Sequence, residues 1–258
     1  MNKLPMPGRL WLASDLHLGP ETPATSEAFL AFLQAAAQEA DALLLPGDLF
    51  DAWIGDDVIR AAPPWLAAVL DGLKQAGARL PLWLGRGNRD FLIGEELAQA
   101  VGARLLPDQA LLGTDYGTVL LSHGDEYCTD DVAYQQFRAM VRNPQWQAQF
   151  LAQSIPQRLA MAAQARGESM AANQSKAAEI MDVNAQAVER AFLDSGVALM
   201  VHGHTHRPAR HVMEIGGKRR ERWVLPDWEL DHAQPPRGGW MVLDRDGPAV
   251  YDVEPAKG

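Results

Sequence analysis

Five short apolar runs along this chain each stop at a loop crowded with Gly, Asp, Asn or His. The runs are Arg9–Ser14 (RLWLAS), Ala42–Leu45 (ALLL), Leu80–Leu84 (LPLWL), Thr118–Ser122 (TVLLS) and Val197–Val201 (VALMV). The loops that follow them read DLHLGP, PGD, GRGNRD, HGD and HGHTH. Apolar runs of this length, bounded by turn formers, read as buried strands. The stretches between them carry helical spacing. In Ala24–Ala40, Phe29, Phe32 and Leu33 fall at i, i+3 and i+4, and Trp65–Gln75 and roughly Gly94–Val101 read as further helices. Strands alternating with helices predict an α/β fold, where ligands gather beyond the carboxyl ends of the strands.

Loop spacing refines this. Asp15 and Asp48 are 33 residues apart, Asp48 and Asn88 are 40 apart, and Asn88 and His123 are 35 apart. Each is one β–α–β step, which takes about 30 residues or more. His123 and His202 are 79 apart. The excess predicts a helical cap insertion over residues 131–195 inside one domain spanning 1–258. Within it Tyr134, Phe137 and Val141 share a face, as do Met181, Val188 and Phe192, and Pro144 and Pro156 break it into pieces. Apolar runs at Arg210–Ile215, Arg222–Leu225, Trp240–Leu243 and Ala249–Val253, parted by turns such as GGK and RDG, predict antiparallel strands.

Composition narrows the class. A chain of 258 residues, 47% hydrophobic, can bury a full core. A formal charge of −10 with no Lys/Arg run argues against nucleic-acid binding. No apolar stretch is long enough to span a membrane, and MNKLPMPGRLWLAS is too soon broken by prolines for a secretory signal. The single cysteine, Cys128, rules out an intrachain disulfide and a Cys-based metal site. A cytoplasmic protein is expected, with no obligate protein partner.

The five loops together hold Asp15, His17, Asp48, Asn88, His123, His202 and His204. Two carboxylates, an amide oxygen and four imidazoles suit borderline divalent ions such as Mn²⁺, Fe²⁺ or Zn²⁺. Seven donors are too many for one tetrahedral ion and enough for two ions sharing a bridging carboxylate. Two such ions outweigh two carboxylates, which favours an anionic ligand, and a close metal pair is the usual clamp for phosphoester displacement. Taken singly, DxH, GD, GN or HG is ordinary turn chemistry. The Arg89 guanidinium fork fits two phosphate oxygens but cannot give up a proton; the plainer alternative is a surface ion pair.

In this order DLH, GD, GNRD, HGD and GHTH resemble the binuclear metallophosphoesterases over nearly the whole chain. The resemblance implies a four-layer α/β/β/α sandwich with a helical cap. It places one ion on Asp15, His17, Asp48 and His204 and the other on Asp48, Asn88, His123 and His202, with Asp48 bridging. His206 then has no coordination place and, with His211 and His232, reads as structural. Many relatives carry GNH where this chain has GNR, which leaves Arg89 for phosphate binding and charge stabilisation. GNRDF, GDLFDAWIGDD, HGDEYCTDD and SKAAEIMDVN resemble one branch closely: the UDP-2,3-diacylglucosamine diphosphatases (hydrolases) of lipid A synthesis. That implies attack of metal-activated water on the α-phosphorus, giving UMP and 2,3-diacylglucosamine 1-phosphate (lipid X). It also implies two Mn²⁺ ions, a Gram-negative source and a peripheral place on the cytoplasmic face of the inner membrane. Asn88 and Arg89 would serve catalysis. Asn88, Arg89, Asp131, Ser169, Asn173, Lys176 and His202 would contact substrate, with Arg166 a further candidate. The alternative substrate is a soluble nucleotide diphosphate or phosphomonoester.

The insertion bears on that choice. Residues 132–178 hold Arg138, Arg142, Arg158, Arg166 and Lys176 against Glu168 alone, a local excess of +4. The same window holds Trp146, Phe150, Leu151, Ile155, Leu159, Met161 and Met170. A basic, apolar cap would suit two acyl chains, a diphosphate and an anionic membrane face. The competing reading is that these residues pack the cap onto the body. Two local departures stand apart from the branch pattern: LPDWELDH near the C-terminus, and Arg86 where a His is expected.

Overall fold

Side chains alternate along each apolar run, and the alternation builds two sheets back to back. The computed structural model describes residues 2–174 and 182–253. One sheet runs β12-β11-β2-β3-β4-β5, from β2 (Leu10–Leu12), β3 (Ala42–Leu45), β4 (Leu82–Leu84), β5 (Ala103–Leu105), β11 (Gly239–Asp244) and β12 (Gly247–Asp252). The other runs β1-β6-β7-β8-β10-β9, from β1 (Lys3–Pro5), β6 (Gln109–Gly113), β7 (Thr118–Ser122), β8 (Leu199–His202), β9 (Ala209–Ile215) and β10 (Lys218–Val224). Strands β2 to β5 are mutually parallel, and so are β7, β8 and β10.

Leu10, Leu12, Leu44, Val119, Leu121, Leu199 and Val201 point between the sheets into one core. Their sequence neighbours Trp11, Leu43 and Leu45 face the opposite way, onto Phe29, Phe32 and Leu33 of α1 (Pro23–Glu39) and Leu66, Val69 and Leu73 of α2 (Pro64–Gly77). Leu120 and Met200 face Val188 and Phe192 of α7 (Ala185–Ser195). The layers are therefore α/β/β/α. Each fully buried Leu is worth about 1.5–3 kcal/mol, and a one-residue slip would exchange both faces of a strand, so the register is strongly held.

The five runs read from the sequence form β2, β3, β4, β7 and β8. Strands β1, β5 and β6 escaped that reading: β1 and β5 are three residues long and lie at sheet edges. The C-terminal third differs in topology. Its strands form two antiparallel hairpins, but β9–β10 joins one sheet and β11–β12 the other, and β10 runs parallel to β8.

Between β7 and β8 lie α4 (Val132–Val141), α5 (Pro144–Leu151), α6 (Ile155–Gln174) and α7. The Asp131 side chain caps α4 by accepting from Tyr134 N, Asn143 caps α5 ahead of Pro144, and Asn184 caps α7. Whereas α7 belongs to the body, α5 and α6 lean on the first sheet's outer layer. Phe150 is buried there with Trp146 stacked on it at 5.1 Å. Arg158 of α6 is 1% exposed and reaches Ile54 O at 2.6 Å and both Asp57 carboxylate oxygens. Trp53 is core as well, stacked on Phe50 at 4.5 Å.

Candidate metal centre

The loops after β2, β3 and β4 carry Asp15, His17, Asp48 and Asn88, and those after β7 and β8 carry His123, His204 and His206. Each sheet thus supplies half a basin at the carboxyl ends of its parallel strands. Backbone hydrogen bonds lash the loops together. Leu16 N and His17 N both donate to Asp48 O, and Gly203 N donates to His123 O at 2.8 Å. Among the described residues the non-glycine positions with positive φ are Asp15 (57°), His17 (49°), Asp48 (52°), His204 (68°) and His206 (53°). Left-handed backbone costs an ordinary L-residue on the order of 1–2 kcal/mol, and such strain collects at functional sites. All five positions lie in this basin. Gly87 and Gly203 are needed for close approach: a Cβ on Gly87 would strike Asp48 Oδ1, and one on Gly203 would strike Asp15 Oδ2 and Ser14 Oγ.

The donors fall into two groups around a common pair of carboxylates. Asp15, His17 and His206 form one: His206 Nε2 lies 3.1 Å from His17 Nε2 and 3.4 Å from Asp15 Oδ1. The other gathers Asp48, Asn88, His123 and His204. Asn88 Oδ1 is 3.1 Å from His123 Nε2 and 2.8 Å from His204 Nδ1. Asp48 Oδ2 lies between the groups, 3.6 Å from His123 Nε2 and 4.0 Å from His17 Nδ1.

The HGHTH histidines sit in different surroundings. His202 is the last residue of β8, fully buried, with Nδ1 2.8 Å from Gly203 O and Nε2 2.9 Å from an Arg222 guanidinium nitrogen. Both ring nitrogens have protein neighbours, and none of them is a carboxylate of the basin. His204 and His206 follow in the loop beyond the strand, where His204 Nδ1 lies 2.8 Å from Asn88 Oδ1 and His206 Nε2 lies 3.4 Å from Asp15 Oδ1.

Charge in the basin is out of balance. Asp48 is raised to about 7 by burial and by Asp90 and Asp15, against the pull of His123 and Arg89 N. His123 is raised to about 9: burial opposes this, and Asp48, Asp15, Asp125 and Asp90 outweigh it. An acid and a base both raised at one spot mark a shortage of positive charge. His123 Nδ1 is also buried without a hydrogen-bond partner. The donor set of carboxylates, amide oxygen and imidazoles, at these separations, fits divalent ions. His17 is lowered to about 3 and His204 to about 4, chiefly by burial, so both are neutral and ready to ligate at neutral pH.

A stability prediction follows. Without metal, the stabilisation from protonated His123 is complete below its unfolded value of 6.5 and is lost as pH rises through about 9. The contribution of Asp48 goes the same way between 3.8 and about 7. Chelated protein should therefore melt at progressively lower temperature from pH 6.5 to 9, and the gain in Tm on adding Mn²⁺ should widen over the same window. Melting curves with and without Mn²⁺ check this; a Mn²⁺ gain that shrinks with pH would contradict it.

The other sequence candidates fall on separate elements of the chain. Arg89 sits at the rim; its backbone N–H donates to Asp48 Oδ1 at 2.8 Å, and its side chain makes no hydrogen bond or ion pair among the described residues. Asp131 serves as the cap of α4. Ser169 and Asn173 fall in the C-terminal part of α6, and Lys176 lies outside the described residues. Arg166 is ion-paired with Asp51. The basic excess of the insertion is largely neutralised from outside it: Arg138 meets Asp125, Arg142 meets Asp108, Arg158 meets Asp57 and Arg166 meets Asp51. These guanidiniums anchor the inserted helices to body carboxylates. The apolar residues divide. Phe150 packs inward, while Leu151, Leu159 and Met161 stay exposed beside Val132, Phe137 and Met140. Arg86 donates to Ile93 O at 2.6 Å and shapes the loop ahead of Asn88.

Several supporting residues escaped sequence reasoning. Asp90 accepts from the backbone N–H groups of Gly87, Asp48 and Leu49, locking the Asp48 and Asn88 loops together. Its position two residues after Asn88 in GNRD was the available signal. In LPDWELDH, Asp227 faces His206 Nδ1 at 3.6 Å and takes two bonds from Arg237, and Trp228 N donates to Asp15 O at 3.0 Å. Nothing in the local sequence announces that role.

The profile of the calcineurin-like phosphoesterases matches residues 8–208, and the chain belongs to that family. Divalent metal ions are the family's cofactors, and this protein is a metal-dependent hydrolase. Within the family it is 74% identical over 253 residues to a Bordetella pertussis protein named UDP-2,3-diacylglucosamine hydrolase, a match covering 98% of each chain. Proteins of the same name from Xanthomonas oryzae pv. oryzae and Aromatoleum aromaticum are 45% and 47% identical, over 91% and 84% of this chain and 94% and 88% of theirs. No helix among the described residues is long and apolar enough to cross a membrane.

Proposed function

We propose that this protein hydrolyses the pyrophosphate of UDP-2,3-diacylglucosamine to UMP and 2,3-diacylglucosamine 1-phosphate. The observation that carries the reading is a pair of overlapping Asp/His clusters, able to hold metal, in a chain 74% identical to a hydrolase named for that substrate. One ion would be held by Asp15, His17, Asp48 and His206, and the other by Asp48, Asn88, His123 and His204, with Mn²⁺ the ion that suits this mixture of oxygen and imidazole donors. When bound, such a pair activates a water at neutral pH and clamps the attacking and leaving oxygens of an in-line displacement.

The chain's own residues do the rest. Arg89, free at the rim, grips non-bridging oxygens of the diphosphate. No protonated side chain is required opposite the water, because the departing sugar phosphate is a stable anion. Asp227 faces Nδ1 of His206 and orients its Nε2 toward Asp15 and His17. We take the insertion at 131–195 as the lipid-facing cap, with Asp131, Ser169, Asn173 and Lys176 as the residues that would contact the sugar nucleotide. Exposed Val132, Phe137, Met140, Leu151, Leu159 and Met161 offer apolar surface for acyl chains and for peripheral contact with the inner membrane.

The test is release of UMP with Mn²⁺ present. Burial of even four methylenes at about 0.8 kcal/mol each is worth about 200-fold, so kcat/KM for UDP-2,3-diacylglucosamine should exceed that for UDP-glucose by at least about 100-fold. Equal rates would remove the lipid substrate and leave a phosphoesterase for soluble nucleotides.

A further inference from the structure

Asp48 is one residue of the stretch GDLFDAWIGDD, and the rest of that stretch has a second task in the fold. Its later residues, 51–57, form a seat for α6. Arg158 of α6 is 1% exposed. Its Nη1 donates to Ile54 O at 2.6 Å and Asp57 Oδ1 at 2.8 Å, while Nη2 donates to Asp57 Oδ2. One guanidinium fork thus takes both a backbone carbonyl and a carboxylate of the seat. Gly55, with φ 126°, makes the approach possible: a Cβ there would strike Arg158 Nη1 and Leu151 Cδ2. Two turns further along α6, Arg166 pairs with Asp51. Ile155 and Ala162 of the same helix pack against the outer core of the first sheet.

The seat is itself fixed to the rim of the basin. Trp53 N donates to Arg89 O at 3.1 Å. Trp53 Nε1 donates to Asp56 Oδ1 at 2.9 Å. The same carboxylate accepts from Gly94 N at 3.0 Å and Leu97 N at 2.9 Å, at the start of the helix Glu95–Ala100. One short, cross-braced stretch therefore lies between the backbone of Arg89 and α6.

We infer that Arg158 is a positioning residue for substrate selection: seated on residues 54–57, it sets the angle of α6, and so the distance from the phosphate grip at Arg89 to the cap. The inference rests on the reading of the insertion as the substrate cap. Ser169 and Asn173 lie 11 and 15 positions beyond Arg158. Fifteen residues of helix span about 22 Å at about 1.5 Å per residue, so a tilt of about 10° at the seat carries the far end about 4 Å, beyond hydrogen-bond reach. The partners of Arg158 in the seat, Ile54 and Asp57, are not metal donors. Its loss should therefore weaken the hold on substrate and leave the chemical step alone.

The test measures steady-state release of UMP from UDP-2,3-diacylglucosamine in detergent micelles at saturating Mn²⁺, beside Mn²⁺ binding to the same proteins. Arg158→Met should raise KM about tenfold, the worth of one or two hydrogen bonds, with kcat within about twofold of parent. Arg158→Lys keeps the charge without the fork and should fall between the two. Asp57→Ala should raise KM in the same direction and add little to Arg158→Met, because both act through one contact. Mn²⁺ affinity should match the parent throughout. If the buried Arg158 proves necessary for folding, Asp57→Ala, at a side chain 38% exposed, decides alone. Parental KM in a folded variant would overturn the inference. So would a fall in kcat and Mn²⁺ affinity at parental KM, which would make the seat a support of the basin. A parent protein that releases no UMP from this substrate would overturn the proposed function itself, and the inference with it.

Discussion

Asp48→Ala is expected to lower turnover by at least about 10³-fold, because it removes a carboxylate placed between both donor groups and a metal pair supplies several kcal/mol to the transition state. Asp48 Oδ2 lies 3.6 Å from His123 Nε2 and 4.0 Å from His17 Nδ1, and Oδ1 accepts from Arg89 N. The fold should survive. In the absence of metal the ionised Asp48 is a liability: burial and the neighbouring Asp90 and Asp15 raise it to about 7. A group raised in the folded state adds stability below its unfolded value of 3.8, and that contribution is gone once pH exceeds about 7. Asp48→Asn keeps the shape and the acceptor for Arg89 N without the charge. At pH 8 it should melt at or above the temperature of metal-free parent protein while losing turnover like the alanine variant. Activity assays with Mn²⁺ beside melting curves in chelator separate the two effects. Turnover within about tenfold of parent in either variant would dismiss Asp48 as the bridge.

The same basin shows what a sequence can and cannot carry. Apolar runs ending in polar loops were legible because burial on both faces forces uninterrupted Leu, Val and Trp in the central strands β2, β3, β4, β7 and β8. Edge strands such as β1 and β5 are short and only half covered, so their residues carry little pattern. That Asp15, His17, Asp48, Asn88 and His123 come together was legible since each lies within a few residues of the end of its strand. HGHTH was ambiguous for a definite reason. Alternating histidines look alike in one dimension, and where the strand stops decides which of them enter the basin. β8 ends at His202, not Val201, and the backbone turns left-handed at His204 and His206. The charges of the insertion misled in a similar way. Sequence counts Arg138, Arg142, Arg158 and Arg166 as free charge, yet their carboxylate partners lie 13 to more than 100 positions away in the chain. Asp227 is the extreme case, brought to His206 by a β-hairpin between them.

His206→Ala and His202→Ala should therefore fail in opposite ways. His206 is 38% exposed on its side chain and sits 3.4 Å from Asp15 Oδ1, so its removal should leave the melting temperature of metal-free protein nearly unchanged. Deleting a direct ligand should instead empty one ion at limiting Mn²⁺ and lower kcat/KM by about 10²–10³-fold, the loss of roughly 3–4 kcal/mol of transition-state stabilisation. His202 is wholly buried and accepts from Arg222, itself buried on β10. Its truncation leaves a buried guanidinium without this partner, which costs about 1–3 kcal/mol or more for a charged group. A loss of that size lowers Tm by several degrees in a domain this large. The surviving folded fraction should still bind two ions, since neither His202 nitrogen lies in the basin. Thermal melts and Mn²⁺ counts on the two variants decide the point. If His202→Ala lost an ion at parental Tm while His206→Ala kept both, the ligands would be His202 and His204 after all. The left-handed backbone at His206 would then lack a metal to explain it.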